Sequence, residues 1–182
     1  MNDDKAAKGL VEQLNDLPAL PGVVTEVLRL TEDPDADTAD VSRAVQQDPA
    51  LAAKVLRVSN SSYYGMKQYV GTLKLALVIL GPREVRNIVL GISVFDLLNS
   101  EGDYKFAQRV WNDSLKVAGL NRMLAAAMDL GLQGEEFIAG LLCDIGQMAL
   151  LRLRGEAYIE VIEGSNGSVE DLAQAERRHF GL

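Results

Sequence analysis

The chain has 182 residues, 48% of them hydrophobic and 24% charged, with 26 acidic side chains against 18 basic and a formal net charge of −8. That length buries a substantial core, in one domain or two intimately packed halves, and the composition is that of an ordinary globular protein. The surplus of acid argues against a generic binder of nucleic acid, whose affinity rests on Lys and Arg displacing counterions, and no apolar run reaches the ~18 residues of a membrane span.

Residues 3–16 read as a short helix, with Asp3 or Asp4 as its cap and Leu10, Val11 and Leu14 on one apolar face. The opening Met1-Asn2-Asp3-Asp4-Lys5 has no basic region leading into an apolar one, so a secretory signal is not expected. Leu17-Pro18-Ala19-Leu20-Pro21 stops the helix, because each proline lacks an amide donor and pushes the preceding residue out of helical geometry. The spacing of Val23 or Val24, Val27, Leu28 and Leu30 predicts a helix from about Gly22 to Glu32. The acids of Asp33-Pro34-Asp35-Ala36-Asp37 form a solvated turn and lack the glycine and distal glutamate of a calcium loop.

Asp37 or Thr38 caps a helix to about Gln47, and Asp48-Pro49 starts the next, to about Asn60, with Leu51, Val55 and Val58 on its buried face. Thr72–Leu80 is apolar nearly all round and reads as a central helix. Gly81-Pro82 breaks it and opens another through Val85, Ile88, Val89, Ile92 and Phe95 to about Leu98. Asn99-Ser100-Glu101-Gly102-Asp103 is the clearest loop. A long helix follows from Tyr104 to Met128, carrying Phe106, Val110, Trp111, Leu115, Ala118 and Met123 or Leu124 inward. Gly131 and Gly134 bracket the turn into the apolar run Phe137–Leu153, where Ile138, Leu141, Leu142, Ile145 and Met148 recur at helical spacing and predict one core helix. Gly155 separates it from a helix over Glu156–Glu163, and Ser168 with Asp171 approximates a capping box for the last one. Gly91, Gly119, Gly140 and Gly146 fall inside helical patterns at about 1 kcal/mol each, which closely crossing helices would explain. No period-two strand pattern appears, so the expected fold is all-α.

Leu17–Pro21, Gln47-Asp48-Pro49-Ala50-Leu51, Ser59-Asn60-Ser61-Ser62-Tyr63-Tyr64-Gly65 and Ala76–Gly81 form a series that resembles the HDOD domain, an output domain related to the HD superfamily of metal-dependent phosphohydrolases. Gly140-Leu141-Leu142-Cys143-Asp144-Ile145-Gly146 is similar to the HD signature helix, with Cys143 in place of the histidine and Asp144 kept. After an N-terminal helix over 1–16, the resemblance implies an N-terminal helical half over 17–99 and an HD-like helical half over 103–182 that lacks the closing helices. It also sets Asp113, within Trp111-Asn112-Asp113-Ser114-Leu115, where HD enzymes supply an earlier histidine.

HD chemistry needs several imidazoles and carboxylates around one or two metal ions, and this chain has one histidine, His179, expected to face solvent near a helix C-terminus. Asp113, Cys143 and Asp144 are therefore degenerate HD-like positions, Cys143 reading as a small core residue and Asp144 as a carboxylate holding neighbouring backbone or arginine groups. The lone cysteine excludes an internal disulfide and fits a reducing cytoplasm. No cofactor is expected. Asn60, Tyr63 and Tyr64 read first as a cap and core closure, and otherwise as the edge of a groove between the halves where a partner or ligand docks. Arg83, Arg86 and Asn87 read as a solvated face. The reading that follows is a cytoplasmic bacterial signalling or scaffold module without catalysis, bound to signalling proteins and able to form a homodimer. The competing readings are a residual phosphohydrolase of nucleotides or cyclic dinucleotides, and a nucleotide sensor with arginines pointing into a pocket.

Overall fold

The computed structural model describes residues 8–9, 12–13, 19–61, 64, 66–99, 104–132, 134–165 and 169–181. These fold into helices with no strand among them: α1 (Gly22–Glu32), α2 (Thr38–Gln46), α3 (Pro49–Ser59), α4 (Leu73–Leu80), α5 (Pro82–Leu98), α6 (Tyr104–Ala127), α7 (Glu135–Leu141), α8 (Ile145–Arg154), α9 (Glu156–Glu163) and α10 (Val169–Phe180). No helix among the described residues is long and apolar enough to cross a membrane. The expected first helix is described only at residues 8–9 and 12–13, which are helical. Leu10, Val11, Leu14 and both candidate caps, Asp3 and Asp4, lie outside the described residues, as does Ser168.

Local chemistry sets the boundaries. The Asp37 carboxylate accepts from the Asp40 amide while Asp40 reaches back to the Asp37 amide, a reciprocal cap on α2. Asp48 accepts from the amides of Ala50 and Leu51 ahead of Pro49 at the first position of α3. Thr72 caps α4 through Leu75, and Gly81, at φ +84°, turns α4 directly into α5 at a conformation only glycine adopts freely.

The spine of the molecule is α5, not α4. It packs on α1, α3 and α4 on one side and on α7 and α8 on the other, burying Val85, Ile88, Val89, Ile92, Phe95 and Leu98. Only Leu73, Ala76 and Leu77 of α4 are buried, whereas Leu75, Val78 and Ile79 face outward. An all-apolar octet predicts burial all round, but an eight-residue helix at the rim has neighbours on one face only.

The largest apolar cluster joins Val24, Val27, Val45, Val55 and Leu77 to Ile88, Leu115, Phe137 and Leu141, so both halves of the chain contribute to one core. Burial at this scale contributes ~1.5–3 kcal/mol per large side chain. A second cluster holds Phe95, Leu98, Val110 and Met148, where Trp111 meets Phe95 edge-on at 4.8 Å. The third surrounds the fully buried ring of Tyr158, whose hydroxyl donates to Glu176 at 2.7 Å and ties α9 to α10.

Helix crossings explain two of the glycines. A Cβ on Gly140 would stand 2.5 Å from the Ala118 Cα and 2.6 Å from its nitrogen, so α6 and α7 meet backbone to backbone. A Cβ on Gly91 would collide with the Leu141 side chain. Gly146 has open space around its Cα, and packing does not account for it. Neither Met123 nor Leu124, the alternatives for the apolar position here, is buried, and Ala125 takes the buried position on that turn.

Candidate functional site

The signature stretch is not one helix. α7 ends at Leu141, a turn spans 142–144, and α8 begins at Ile145. Bonds three residues apart carry the chain through it, from Cys143 to the Gly140 carbonyl, Ile145 to Leu142 and Gln147 to Asp144. With Gly140 held against Ala118 and Met148 and Leu151 buried in other clusters, the two apolar segments point to different cores and the chain must bend between them. The bend turns Cys143 outward: it is exposed, contrary to its expectation as a core residue.

The Cys143 thiol reaches Asp144 Oδ2 at 3.6 Å, and Gln147 donates to Oδ1 at 3.0 Å. Asp144 thus holds an amide and a thiol, and not an arginine. The buried Ser114 hydroxyl lies against the sulfur. Desolvation of the sulfur, with the Asp144 carboxylate next to it, pushes the thiol pKa up and keeps it protonated. Asp113, one residue before Ser114 on α6, is half-exposed and paired with Lys116. Among the described residues no group of three or more His, Cys, Asp or Glu side chains could hold a metal ion. His179 is exposed in the last turn of α10, its Nδ1 on the Ala175 carbonyl at 2.9 Å. A neutral thiol and two carboxylates already engaged, without an imidazole, do not fit an HD-type metal centre.

The densest buried polar network lies elsewhere, where α5, α6 and α7 converge on Tyr64. Glu84, in the first turn of α5, is 5% exposed. It accepts from the Tyr64 hydroxyl at 2.7 Å and pairs with Arg122 of α6 at 2.7 Å. The Arg122 guanidinium stacks over the Tyr64 ring at 4.9 Å, and that ring meets Phe137 at 5.2 Å. A Cβ on Gly134, at φ +106°, would strike Asn87 and Glu84, so α7 starts hard against the carboxylate. Burial raises the Glu84 pKa more than Tyr64 and Arg122 lower it, and raises that of Tyr64 too. Sequence reasoning missed this network. A glutamate in the first turn of a helix is too common to mark a site. Of the expected solvated face, Arg86 pairs with Glu32 at 3.1 Å, while its Nε is buried without a partner and Asn87 faces Gly134.

Between α3 and α6 runs an open cleft of about 880 Å³ edged by Asn60, Ser61 and Tyr69, with Trp111 and Leu115 along α6. Arg57 and Lys116 face it, and among the described residues no acidic side chain lines it. It continues past Arg57 and Trp111 into a hollow of about 140 Å³ against α5, where Lys54 pairs with Asp96. Asn60 lines the cleft and also holds the chain beyond it, its amide donating to the carbonyls of Leu56 and Val70 and its oxygen accepting from the Val70 amide, all at 2.8 Å. Tyr64 does not line it, being committed to Glu84. Tyr63 lies outside the described residues.

The family model of the HDOD domain matches residues 17–182. An HDOD domain protein of unknown function from Geobacter sulfurreducens superposes with a TM-score of 0.75 at 25% identity, over 98% of this chain and 60% of that one. A provisionally named phosphohydrolase from Shewanella amazonensis does so at 0.67 and 28%, over 95% and 61%. An uncharacterized protein of Treponema pallidum is 27% identical over 160 residues, 87% of this chain and 31% of that protein. The chain therefore spans under a third of the curated relative and about three fifths of the two solved chains.

Proposed function

The chain belongs to the HDOD family, and from that premise we propose that it is a non-catalytic signalling output domain of the bacterial cytoplasm that works by docking a partner in the cleft between α3 and α6. The observation that carries this reading is the cleft itself: it lies between α3 and α6, its lining among the described residues is free of acid in a chain of net charge −8, and a half-buried tryptophan and an exposed tyrosine offer contact area. A partner seated there would touch α3 and α6 at once and shift the packing between them. The site chemistry agrees, since Asp113, Cys143 and Asp144 are spent on Lys116, each other and Gln147.

One observation favours residual phosphohydrolase activity, namely the 28% identity to the provisionally named Shewanella enzyme. Elemental analysis of the purified protein, with a manganese-supplemented assay on a generic phosphodiester, separates the two. The binding module predicts neither stoichiometric metal nor turnover. Metal at one or two equivalents, with turnover lost in a folded Asp144→Ala variant, would establish the enzyme instead.

A further inference from the structure

The C-terminal third of α6 carries apolar side chains outward. Leu120, Met123, Leu124 and Met128 on that turn of chain, with Leu130 and Leu132 just beyond, are each 46–65% exposed. Between Lys116 and Glu135 the sequence holds only two charges, Arg122 and Asp129. Arg122 is turned inward to Glu84. Asp129 sits at φ +52° and ends the helix, with its amide on the Ala126 carbonyl at 3.3 Å and the Leu130 amide on that of Ala125 at 3.1 Å, a geometry that folds Leu130 back beside the last turn. Asp129, exposed at the end of the helix, is then the one charge left among these side chains.

Leu120, Met123 and Ala127 follow each other at intervals of three and four, the spacing of a helix–helix seam, with Leu124 and Met128 alongside. The exposed apolar area is on the order of 600 Å², at the top of the range for the largest patch of a monomer and near the ~800 Å² per partner of a standard interface.

We infer that this face is a homodimer interface, in which α6 packs antiparallel on the α6 of a second copy about a two-fold axis near Leu124. A two-fold there sets Leu120 of each copy opposite Met128 of the other, so the patch is complementary to itself, as a closed dimer requires. Antiparallel pairing also opposes the two helix dipoles. Charge selects the same occupant. Two copies of net charge −8 repel each other over most of their surfaces, and a strip whose one charge, Asp129, stands at the helix end lets them meet with little apposition of acid to acid.

Analytical ultracentrifugation over a concentration series tests this. The expected result is a reversible dimer whose population rises with salt, since screening weakens the repulsion between copies while leaving the seam intact. Leu124→Glu with Met128→Glu weakens it about 100-fold or more, with helical circular dichroism unchanged because both side chains are already exposed. As a probe independent of that variant's folding, Leu124→Cys with Cys143→Ser should oxidise to a disulfide-linked dimer, the cysteine standing next to the axis. A wild-type monomer at every accessible concentration, or a dimer that survives the double glutamate variant, overturns the proposal and hands the face to another segment or another protein.

Discussion

The network at Glu84 and the turn at Cys143 are built from the same parts, a carboxylate with neighbours that donate to it, yet the fold treats them in opposite ways. Glu84 is buried, receives a phenol and a guanidinium, and sits where α5, α6 and α7 meet. Asp144 is half-exposed and bonds residues one and three positions along its own chain. A bond that links distant parts of a chain in a dry setting holds tertiary structure, whereas one between sequence neighbours at the surface holds only its own turn. The conspicuous motif and the consequential carboxylate are therefore different places.

The sharpest way to break this comparison is to remove each carboxylate. Glu84→Ala leaves the Arg122 charge half-buried beside the Tyr64 ring and should cost about 3 kcal/mol or more in urea unfolding, by the rule for cutting one side of a buried pair. Next comes Gly140→Ala, whose methyl group meets the Ala118 backbone and not a side chain able to swing aside. A loss of about 2–3 kcal/mol is expected, and a neutral result would mean that the α6–α7 crossing is looser than described.

A titration sharpens the contrast. Because burial raises the Glu84 pKa, the folded protein binds that proton more readily than the unfolded chain. The stabilisation from this group is complete below the unfolded value of about 4.3 and is lost as pH rises through the folded one. Glu84→Gln does not titrate there, so its stability relative to wild type should climb with pH across that window. Thermal unfolding over a pH series that gave a constant difference would contradict the burial. The smallest effect belongs to the turn: Cys143→Ser should shift stability by no more than ~0.5 kcal/mol, since the residue is exposed and its one bond is local.

Most of the fold was legible because it is written locally. Asp37, Asp48, Thr72 and Gly81 act through neighbours within four residues, and each boundary they mark is found. The errors share a cause. Thr72–Leu80 and Met123-Leu124 are apolar without being buried, because burial depends on what a distant part of the chain places alongside. Phe137–Leu153 keeps helical spacing across a bend, since the period of the apolar residues survives a turn of three. The partners of Glu84 stand 20 residues before it and 38 after it, at Tyr64 and Arg122, and nothing in the spacing announces them.

The three bonds of Asn60 have a consequence for how the chain tolerates change in length. Its side chain pairs with the amide and carbonyl of Val70 as a neighbouring strand would, and Tyr64 is tied to Glu84, so residues 66–69 stand between two fixed points. With the ends fixed, doubling the length of such a segment adds only about 0.6 kcal/mol of closure entropy. Position 66 to 69 is thus a place to graft a peptide tag or fluorophore next to the cleft, provided that Asn60 itself is left untouched.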